Sequence, residues 1–301
     1  PQAIAHRGYK AKFPENTMAA FRGAVEVGAE ALETDIHLSK DGVVVLSHDK
    51  DLKRCFGRQE KIIDCDYEFL SELRTLSEPH EHMPRLADLL EYLAQPGLED
   101  IWVLLDIKLD NNASEIMQRI ASTISSVAPS PSRPWSSRIV LGCWAAKYLP
   151  LCSEHLPGFP VSHIGFSLLY ASYFFAVSNV SFNMHQNALI TPWGRAFVRK
   201  AQRDQRPVFA WTVNDVRQMR WDVRHGLDGV ITDDPKTFLE VRKAWREGVR
   251  DGEGLGVRMW LQVAWTQVFI AMIGVSLHWT FGWNARKELV RVKDVKYERH
   301  C

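Results

Sequence analysis

Short apolar runs alternate along the chain with longer stretches in which apolar residues recur at helical spacing. Residues 101–105 are apolar at five successive positions, which is typical of a strand buried on both faces of a parallel sheet. Residues 17–27 carry apolar side chains at intervals that indicate an amphipathic helix. Further helices are predicted at residues 70–76, 86–93 and 113–127. Strands are predicted at residues 2–5, 31–38, 101–105, 139–143, 161–166, 180–184, 208–213 and 230–232.

This alternation of strand and helix predicts a (β/α)8 TIM barrel over residues 1–248. A further apolar run at residues 43–46 follows the turn Asp41-Gly42 and predicts an extended excursion after the second strand. Active sites of such barrels lie at the C-terminal ends of the strands. Seven charged or aromatic residues fall there: His6, Glu33, Asp35, Asp106, Lys108, Trp211 and Asp233.

The C-terminal part of the chain has a different pattern. A glycine-rich linker is predicted at residues 249–258, and residues 259–285 then contain no Asp, Glu, Lys or Arg. Tryptophans lie towards both ends of this 27-residue segment, as aromatic anchors do at the two interfaces of a membrane. The remaining residues, 286–301, form a basic tail with six Lys or Arg and three Asp or Glu.

These features predict a hydrophobic segment that anchors the barrel to an anionic membrane surface. Because the basic tail and a barrel without a leader are both expected in the cytosol, a re-entrant hairpin turning near Gly274 or an interfacial helix is favoured over a simple span. The alternative is a helix packed on the barrel. With the anchor, we expect an intracellular enzyme whose catalytic domain faces the cytosol, at the surface of the endoplasmic reticulum, a mitochondrion or a lipid droplet.

Composition narrows the possible functions. The 301 residues carry a formal charge of only +1, so no strongly basic face is expected and nucleic acid is not predicted as a partner. The five cysteines are odd in number and show no Cys-x-x-Cys spacing. The first residues also show no signal-peptide pattern. This cysteine pattern and the lack of a signal-peptide pattern favour a reducing compartment.

Two pairs of charged residues have the spacing of one face of a strand. Glu33 and Asp35 are two positions apart, so both carboxylates point to the same side. Asp106 and Lys108 repeat this spacing on a later strand. Each pair alone is more often part of a salt-bridged barrel rim, but two such pairs together favour one divalent cation, Mg²⁺ or Ca²⁺, because these ions prefer oxygen ligands.

Two histidines follow predicted strands and are candidates for general acid and base. The ordinary pKa of histidine, about 6.5, allows both protonation states near neutrality, which suits His6 and His48 for proton transfer. Arg7 could bind a phosphate through its planar guanidinium or form an ion pair with Glu15. Trp211 either lines the entrance for the substrate or packs at the end of the barrel.

These residues occur within motifs that resemble the glycerophosphodiester phosphodiesterase family. The resemblance spans about 235 residues in the same order along the chain. The motifs are His6-Arg7-Gly8, Pro14-Glu15-Asn16-Thr17, Glu33-Thr34-Asp35-Ile36, Asp41-Gly42, His48-Asp49, Trp211-Thr212-Val213-Asn214 and Gly229-Val230-Ile231-Thr232-Asp233-Asp234-Pro235.

The resemblance implies a TIM barrel with one divalent metal and a role for each site residue. It implies that Glu33, Asp35 and Asp106 bind the metal, with aspartate at position 106 where many members have glutamate. His6 and His48 would be the acid and base, and Arg7 and Lys108 would hold the phosphate. Asn16 and Trp211 are further candidates to line the substrate. Residues 6–17 and 104–108, with the hydrophobic segment, most resemble the fungal phosphatidylglycerol phospholipase C subgroup.

The sequence therefore predicts a metal-dependent phosphodiesterase that acts on glycerophospholipids. The favoured reaction is phospholipase C-type cleavage of phosphatidylglycerol to diacylglycerol and glycerol phosphate, in which the headgroup hydroxyl attacks the phosphate. One alternative is a membrane-tethered hydrolase of soluble glycerophosphodiesters, which releases glycerol 3-phosphate and an alcohol. A second is a non-catalytic, membrane-bound interaction module.

Overall fold

Nine strands form a single sheet in the computed structural model of the protein, which describes residues 1–249, 256 and 260–268. The strands are β1 (Gln2–His6), β2 (Ala31–Leu38), β3 (Val44–Leu46), β4 (Trp102–Ile107), β5 (Ile139–Cys143), β6 (Val161–Gly165), β7 (Val180–His185), β8 (Val208–Trp211) and β9 (Gly229–Thr232).

Eight of these strands close into a parallel barrel. Strand β1 pairs with β2 on one side, with Ile4 opposite Ala31, and with β9 on the other, with Gln2 opposite Gly229. The predicted TIM barrel is thereby confirmed. Strand β3 lies outside the barrel and pairs antiparallel with the end of β2, where Leu38 is opposite Val44. It corresponds to the extended excursion that was predicted at residues 43–46.

Helices follow most of the barrel strands and cover the outside of the sheet. In the segment after β3, the helix expected at residues 70–76 instead spans Tyr67–Glu72, because the chain becomes extended at Leu73. The helices are α1 (Met18–Glu26), α2 (Lys53–Phe56), α3 (Tyr67–Glu72), α4 (Leu86–Leu93), α5 (Ala113–Ser126), α6 (Tyr148–His155), α7 (Leu168–Tyr173), α8 (Gln186–Leu189), α9 (Pro192–Arg203), α10 (Val216–His225) and α11 (Pro235–Arg246).

The barrel interior has an apolar floor beneath a polar end. Side chains of Ile4, Leu104, Phe209 and Ile231 form one buried cluster inside the barrel. Alternate residues of a strand point to the same face, so the residue two positions further along each strand also faces inward. Those residues are His6, Asp106, Trp211 and Asp233. The strand period therefore places the polar groups directly above an apolar layer, at the C-terminal end of the barrel.

A helical segment over residues 260–268 packs against this end of the barrel. Val263 is buried, and Gln267 Nε2 donates a hydrogen bond of 3.1 Å to the carbonyl of Asn187 in α8. Asn187 in turn donates through Nδ2 to Thr266 Oγ1 at 3.1 Å. In the part of the chain that can be described, the segment thus has the packed arrangement that the sequence left as an alternative to membrane insertion.

The predicted membrane anchor lies only partly within the described residues. Of residues 259–285, only 260–268 are described, and the basic tail at residues 286–301 lies entirely outside them, as do most residues of the linker at 249–258. Across residues 1–249, 256 and 260–268, none of the helices has both the length and the apolar character needed to cross a membrane. The anchor and its place in the membrane stay predictions.

Candidate active site

Strand register brings the predicted site residues together at the C-terminal end of the barrel. His6 is opposite Glu33 in the pairing of β1 with β2, and Asp35 is opposite Asp106 in the pairing of β2 with β4. Lys108 follows the end of β4. Neighbouring strands of a parallel pair therefore present these side chains at the same height, although they come from distant parts of the sequence.

Three of the residues form a buried carboxylate cluster. Glu33, Asp35 and Asp106 are 4%, 1% and 6% exposed, and one oxygen of each lies within 4.8 Å of the others. Burial and the charges of the other two carboxylates raise the pKa of Glu33 well above its ordinary value. Mutual repulsion between buried carboxylates makes this arrangement costly unless positive charge is close by.

Two cationic side chains lie within the cluster. Lys108 Nζ is 2.6 Å from Asp35 Oδ1 and 2.8 Å from Asp106 Oδ2, while Arg7 Nε is 3.2 Å from Asp35 Oδ2. Burial alone would raise the pKa of Asp35, but Lys108 and Arg7 outweigh it and hold that pKa well below its ordinary value. Arg7 also pairs with Glu15 at 2.9 Å, so the ion pair considered from the sequence does form.

The donor set fits a hard divalent cation. Three buried carboxylates lie close together beside Lys108 and Arg7, and all three candidate ligands offer oxygen. Glu33, Asp35 and Asp106 would hold the ion, as the resemblance implied. The donor set suits Mg²⁺ and Ca²⁺ alike.

His6 is oriented by a carboxylate from the last strand. Its Nδ1 lies 2.6 Å from Oδ1 of Asp233, which leaves Nε2 facing the cluster, 4.0 Å from Glu33 Oε2. Asn214 fixes Asp233 by donating from Nδ2 to Oδ2 at 2.8 Å and accepting from the Asp233 amide through Oδ1 at 2.9 Å. Burial lowers the pKa of His6, against the opposing effect of Asp233.

His48 is held by a chain of polar contacts that begins at its ring. Its Nδ1 is 2.8 Å from Asp49 Oδ1, and Arg54 Nε donates to Asp49 Oδ2 at 2.6 Å. Arg54 also donates to both oxygens of Glu15, at 2.8 and 2.6 Å. Since Glu15 contacts Arg7, the loop that carries His48 is connected to the start of the barrel.

Asn16 holds Asp35 of the carboxylate cluster in place. Its Nδ2 donates to Asp35 Oδ2 at 2.8 Å, and its Oδ1 accepts from Thr34 Oγ1 at 2.8 Å. The backbone of Asn16 is left-handed with φ of 55°, a conformation that asparagine tolerates better than most residues. Thr17 caps α1 by accepting from the Ala20 amide. Contact of Asn16 with a substrate stays a prediction.

A tight turn brings Arg7 to the site. Gly8 has φ of +79°, and a Cβ at this position would lie 2.6 Å from the backbone of Ala20 in α1. Only glycine fits there without moving the helix. The turn also lets the Arg7 amide donate to Glu33 Oε2 at 2.9 Å. The His-Arg-Gly sequence is thereby explained by the close approach of the turn to α1.

Two connected cavities open onto these residues. An inner cavity of about 120 Å³ contains the carboxylate cluster, His6 and Trp211, and an outer cavity of about 580 Å³ lies beside it. His48, Lys108 and Trp144 line both cavities and therefore mark the boundary between them. The contact of Trp211 with the inner cavity agrees with its predicted position, while its role with substrate stays a prediction.

Trp144 and Asp233 belong to the site, but no role was predicted for either. Trp144 follows β5 and donates from Nε1 to Asp106 Oδ1 at 2.7 Å, so both oxygens of Asp106 have partners. An aromatic residue after a strand is not a distinctive sequence signal. Asp233 was noted at a strand end, and its proximity to His6 follows from closure of the barrel.

A sequence model of the Glycerophosphoryl diester phosphodiesterase family matches residues 6–237 of the chain. The chain is 28% identical over 264 residues to a glycerophosphodiester phosphodiesterase of Caldanaerobacter subterraneus subsp. tengcongensis, an alignment that covers 80% of this chain and 97% of the relative. A lysophospholipase D, GDPD1 of Rattus norvegicus, is 32% identical over 155 residues, or 47% of each chain.

Solved structures show the same fold. The glycerophosphodiester phosphodiesterase of Thermotoga maritima is 28% identical, with a TM-score of 0.64 over 80% of this chain and 99% of that structure. A phosphodiesterase of Oleispira antarctica, solved with the product sn-glycerol-3-phosphate, has a TM-score of 0.67 over 81% and 97% of the two chains. At 21% identity, the second likeness concerns the fold alone. From the match over residues 6–237 and the barrel that carries the site, the chain belongs to the glycerophosphoryl diester phosphodiesterase family and is a phosphoric diester hydrolase.

Proposed function

We propose that the protein hydrolyses glycerophosphodiesters to glycerol 3-phosphate and an alcohol, with a divalent cation at the carboxylate cluster. The observation that carries this proposal is the position of two histidines on either side of that cluster, each with a carboxylate on its Nδ1. Family membership supports the substrate class. When bound, the cation would neutralise negative charge on the phosphoryl oxygens.

The two cavities give the histidines different roles. His6 lines only the inner cavity, and burial lowers its pKa, so it is suited to accept a proton near neutrality. His48 stands where the inner cavity opens into the outer one. With the glycerol phosphate part in the inner cavity, the second alcohol leaves through the outer cavity and receives its proton from His48.

In the proposed first step, the 2-hydroxyl oxygen of the glycerol attacks phosphorus while His6 takes the hydroxyl proton. The bond between phosphorus and the second alcohol breaks, and His48 protonates the departing oxygen. Water then attacks the cyclic phosphodiester as His48 takes one of its protons. The bond from phosphorus to the 2-oxygen breaks, and His6 returns a proton to that oxygen, so both histidines regain their starting states.

A diester whose glycerol lacks the 2-hydroxyl tests this route. We expect its turnover to be lost while its affinity as a competitive inhibitor is kept. Undiminished turnover of the deoxy substrate would show that water attacks the phosphate directly.

A second candidate is the phospholipase C reaction on phosphatidylglycerol at an anionic membrane, the activity of the fungal subgroup. Its support is a set of large apolar side chains that are exposed in α9 and in residues 260–268. Trp193 at the start of α9 is 79% exposed, and Trp265 and Leu261 of the segment packed near α8 are 70% and 66% exposed. Tryptophan is favoured at membrane interfaces. A cytosol-facing enzyme at an intracellular membrane belongs to this second proposal.

Paired substrates distinguish the two candidates. Glycerol phosphate release is measured from phosphatidylglycerol vesicles and from glycerophosphoglycerol, its deacylated form, at equal phosphorus concentration. The first proposal predicts faster release from the soluble diester. Faster release from the vesicles would favour the second proposal, provided that Trp193→Ala and Trp265→Ala lower the rate on vesicles but not on the soluble diester.

A further inference from the structure

Strand β2 carries a third polar side chain on the face of the carboxylate cluster. His37 lies two residues beyond Asp35 and four beyond Glu33, so all three side chains point to the same side of the strand. It is only 3% exposed and lines the outer cavity. A buried histidine needs partners for its ring nitrogens, and both nitrogens of His37 have one within reach.

The first partner is the backbone of His48. His37 Nε2 lies 3.3 Å from the carbonyl oxygen of His48. Because a carbonyl can only accept, Nε2 is the donor. His48 is thus held at two points, its backbone by His37 and its ring by Asp49 at 2.8 Å.

The second partner belongs to the loop after β4. His37 Nδ1 is 3.4 Å from Asp110 Oδ2, and this contact helps to lower the pKa of Asp110 against the effect of burial. The same loop is tied to β2 by Asn111 Oδ1, which accepts from the Leu38 amide at 2.9 Å. His37 therefore bridges the loop that carries His48 and the loop that follows Lys108.

We propose that His37, supported by Asp110, is a positioning residue that fixes His48 relative to the phosphoryl-binding end of the barrel. The inference rests on the catalytic role proposed for His48. Proton transfer to a leaving oxygen requires hydrogen-bond distance, and a displacement of 1 Å can lower a rate by about 100-fold. Loss of the bridge is expected to move His48 while leaving His6 and the carboxylate cluster in place.

A double-mutant cycle tests the proposal. His37→Leu in the otherwise unchanged protein is expected to lower kcat by about 10- to 100-fold with KM nearly unchanged. In a His48→Ala background, the same substitution is expected to lower kcat by less than about twofold, because its effect acts through His48. His37→Gln places an amide donor near the position of Nε2 and is expected to restore most of kcat.

His163 provides a matched control. It is 1% exposed, and its Nδ1 lies 3.2 Å from the carbonyl of Cys143, but it stacks on Phe174 outside the barrel interior. His163→Leu is expected to leave kcat within about twofold of the wild-type value. All variants are compared at pH 7.5 and at a temperature at which circular dichroism shows each of them to be folded. An equal loss in His163→Leu would show that removing any buried histidine lowers activity and would overturn the proposal.

The outcomes separate this inference from the proposed function. Suppose that the wild type releases glycerol phosphate. The positioning role is then wrong if His37→Leu leaves kcat unchanged, or if it lowers kcat by the same factor in the His48→Ala background. If the wild type is inactive, the proposed function fails and the ring signal of His48 in an NMR spectrum, assigned from His48→Ala, still tests the bridge. The bridge predicts that this signal shifts or broadens in His37→Leu, and an unchanged signal would contradict it.

Discussion

Nδ1 of His6 lies 2.6 Å from Oδ1 of Asp233, across the seam where the first and last strands of the barrel meet. The two residues are 227 positions apart in the sequence. Closure of the barrel therefore completes the orientation of His6, and Asn214 at the end of the preceding strand holds the carboxylate in place. The proposed role of His6 thus depends on a contact that exists only when the whole barrel has formed.

Replacement of Asp233 tests this contact. Asp233→Asn removes the charge that fixes the tautomer of His6, and we expect kcat to fall on the order of 10²-fold or more. Asp234→Asn is the matched control, because Asp234 caps α11 by accepting from the Thr237 amide and has no contact with His6 among those described. A similar loss of kcat in both variants, with both folded, would refute the role of Asp233.

The two histidines are expected to be required individually. His6→Ala and His48→Ala should each lower kcat by about 10²- to 10⁴-fold, the usual contribution of a general acid or base. Initial rates with saturating Mg²⁺ or Ca²⁺ check this. Near-normal turnover in His48→Ala would show that His48 is not the general acid. The same result in His6→Ala would show that His6 is not the general base.

Metal binding should be visible in stability as well as in activity. A cation that binds the folded state at 100 times its Kd adds about 2.7 kcal/mol to the free energy of unfolding. We therefore expect Mg²⁺ or Ca²⁺ to raise Tm of the wild type and a chelator to reverse the effect. Glu33→Gln should raise Tm without metal, because it removes charge repulsion in the cluster, and should abolish the metal-dependent increase. An equal metal response in Glu33→Gln would exclude Glu33 as a ligand.

Trp144 is expected to support the third carboxylate. Trp144→Phe removes the donor to Asp106 Oδ1 while keeping an aromatic ring between the cavities. Loss of such a supporting hydrogen bond typically weakens metal affinity by about 10- to 100-fold. Isothermal titration with the metal measures this. Unchanged affinity would mean that Lys108 alone positions Asp106.

A buried histidine outside the site predicts how stability depends on pH. Burial lowers the pKa of His163 to about 3, while the unfolded chain titrates near 6.5. Between these values the unfolded state binds one more proton than the folded state, so the free energy of unfolding falls by about 1.4 kcal/mol for each unit of acidification. Urea unfolding between pH 6.5 and pH 4 should show a smaller slope in His163→Leu. An identical slope would contradict this assignment.

The barrel and part of its site were predictable because two simple patterns were visible in the chain. Continuous apolar runs marked the parallel strands, and Glu33 with Asp35 showed the two-residue spacing of one strand face. Extending that spacing by one step leads to His37, so the sequence contained the signal for this residue. It was not recognised because histidine on a buried strand has no distinctive chemistry until its partners are known.

Other contacts could not be predicted from the sequence for physical reasons. The bond from Trp144 to Asp106 depends on the rotamer of a loop residue, and the pair of His6 with Asp233 depends on barrel closure. The hydrogen bond from Asn16 to Asp35 depends on the left-handed backbone of Asn16, which the sequence does not reveal. Helix α3, which begins and ends before its predicted bounds, shows that apolar spacing alone does not fix the ends of a helix.

The most direct test of the proposed function is a ³¹P NMR assay of the purified protein with a soluble glycerophosphodiester and Mg²⁺ or Ca²⁺. We predict that the diester signal is replaced by that of glycerol 3-phosphate, and that conversion stops with chelator and in His48→Ala. A diester signal that persists unchanged with either metal, or conversion that continues at full rate in chelator, would contradict metal-dependent hydrolysis at this site.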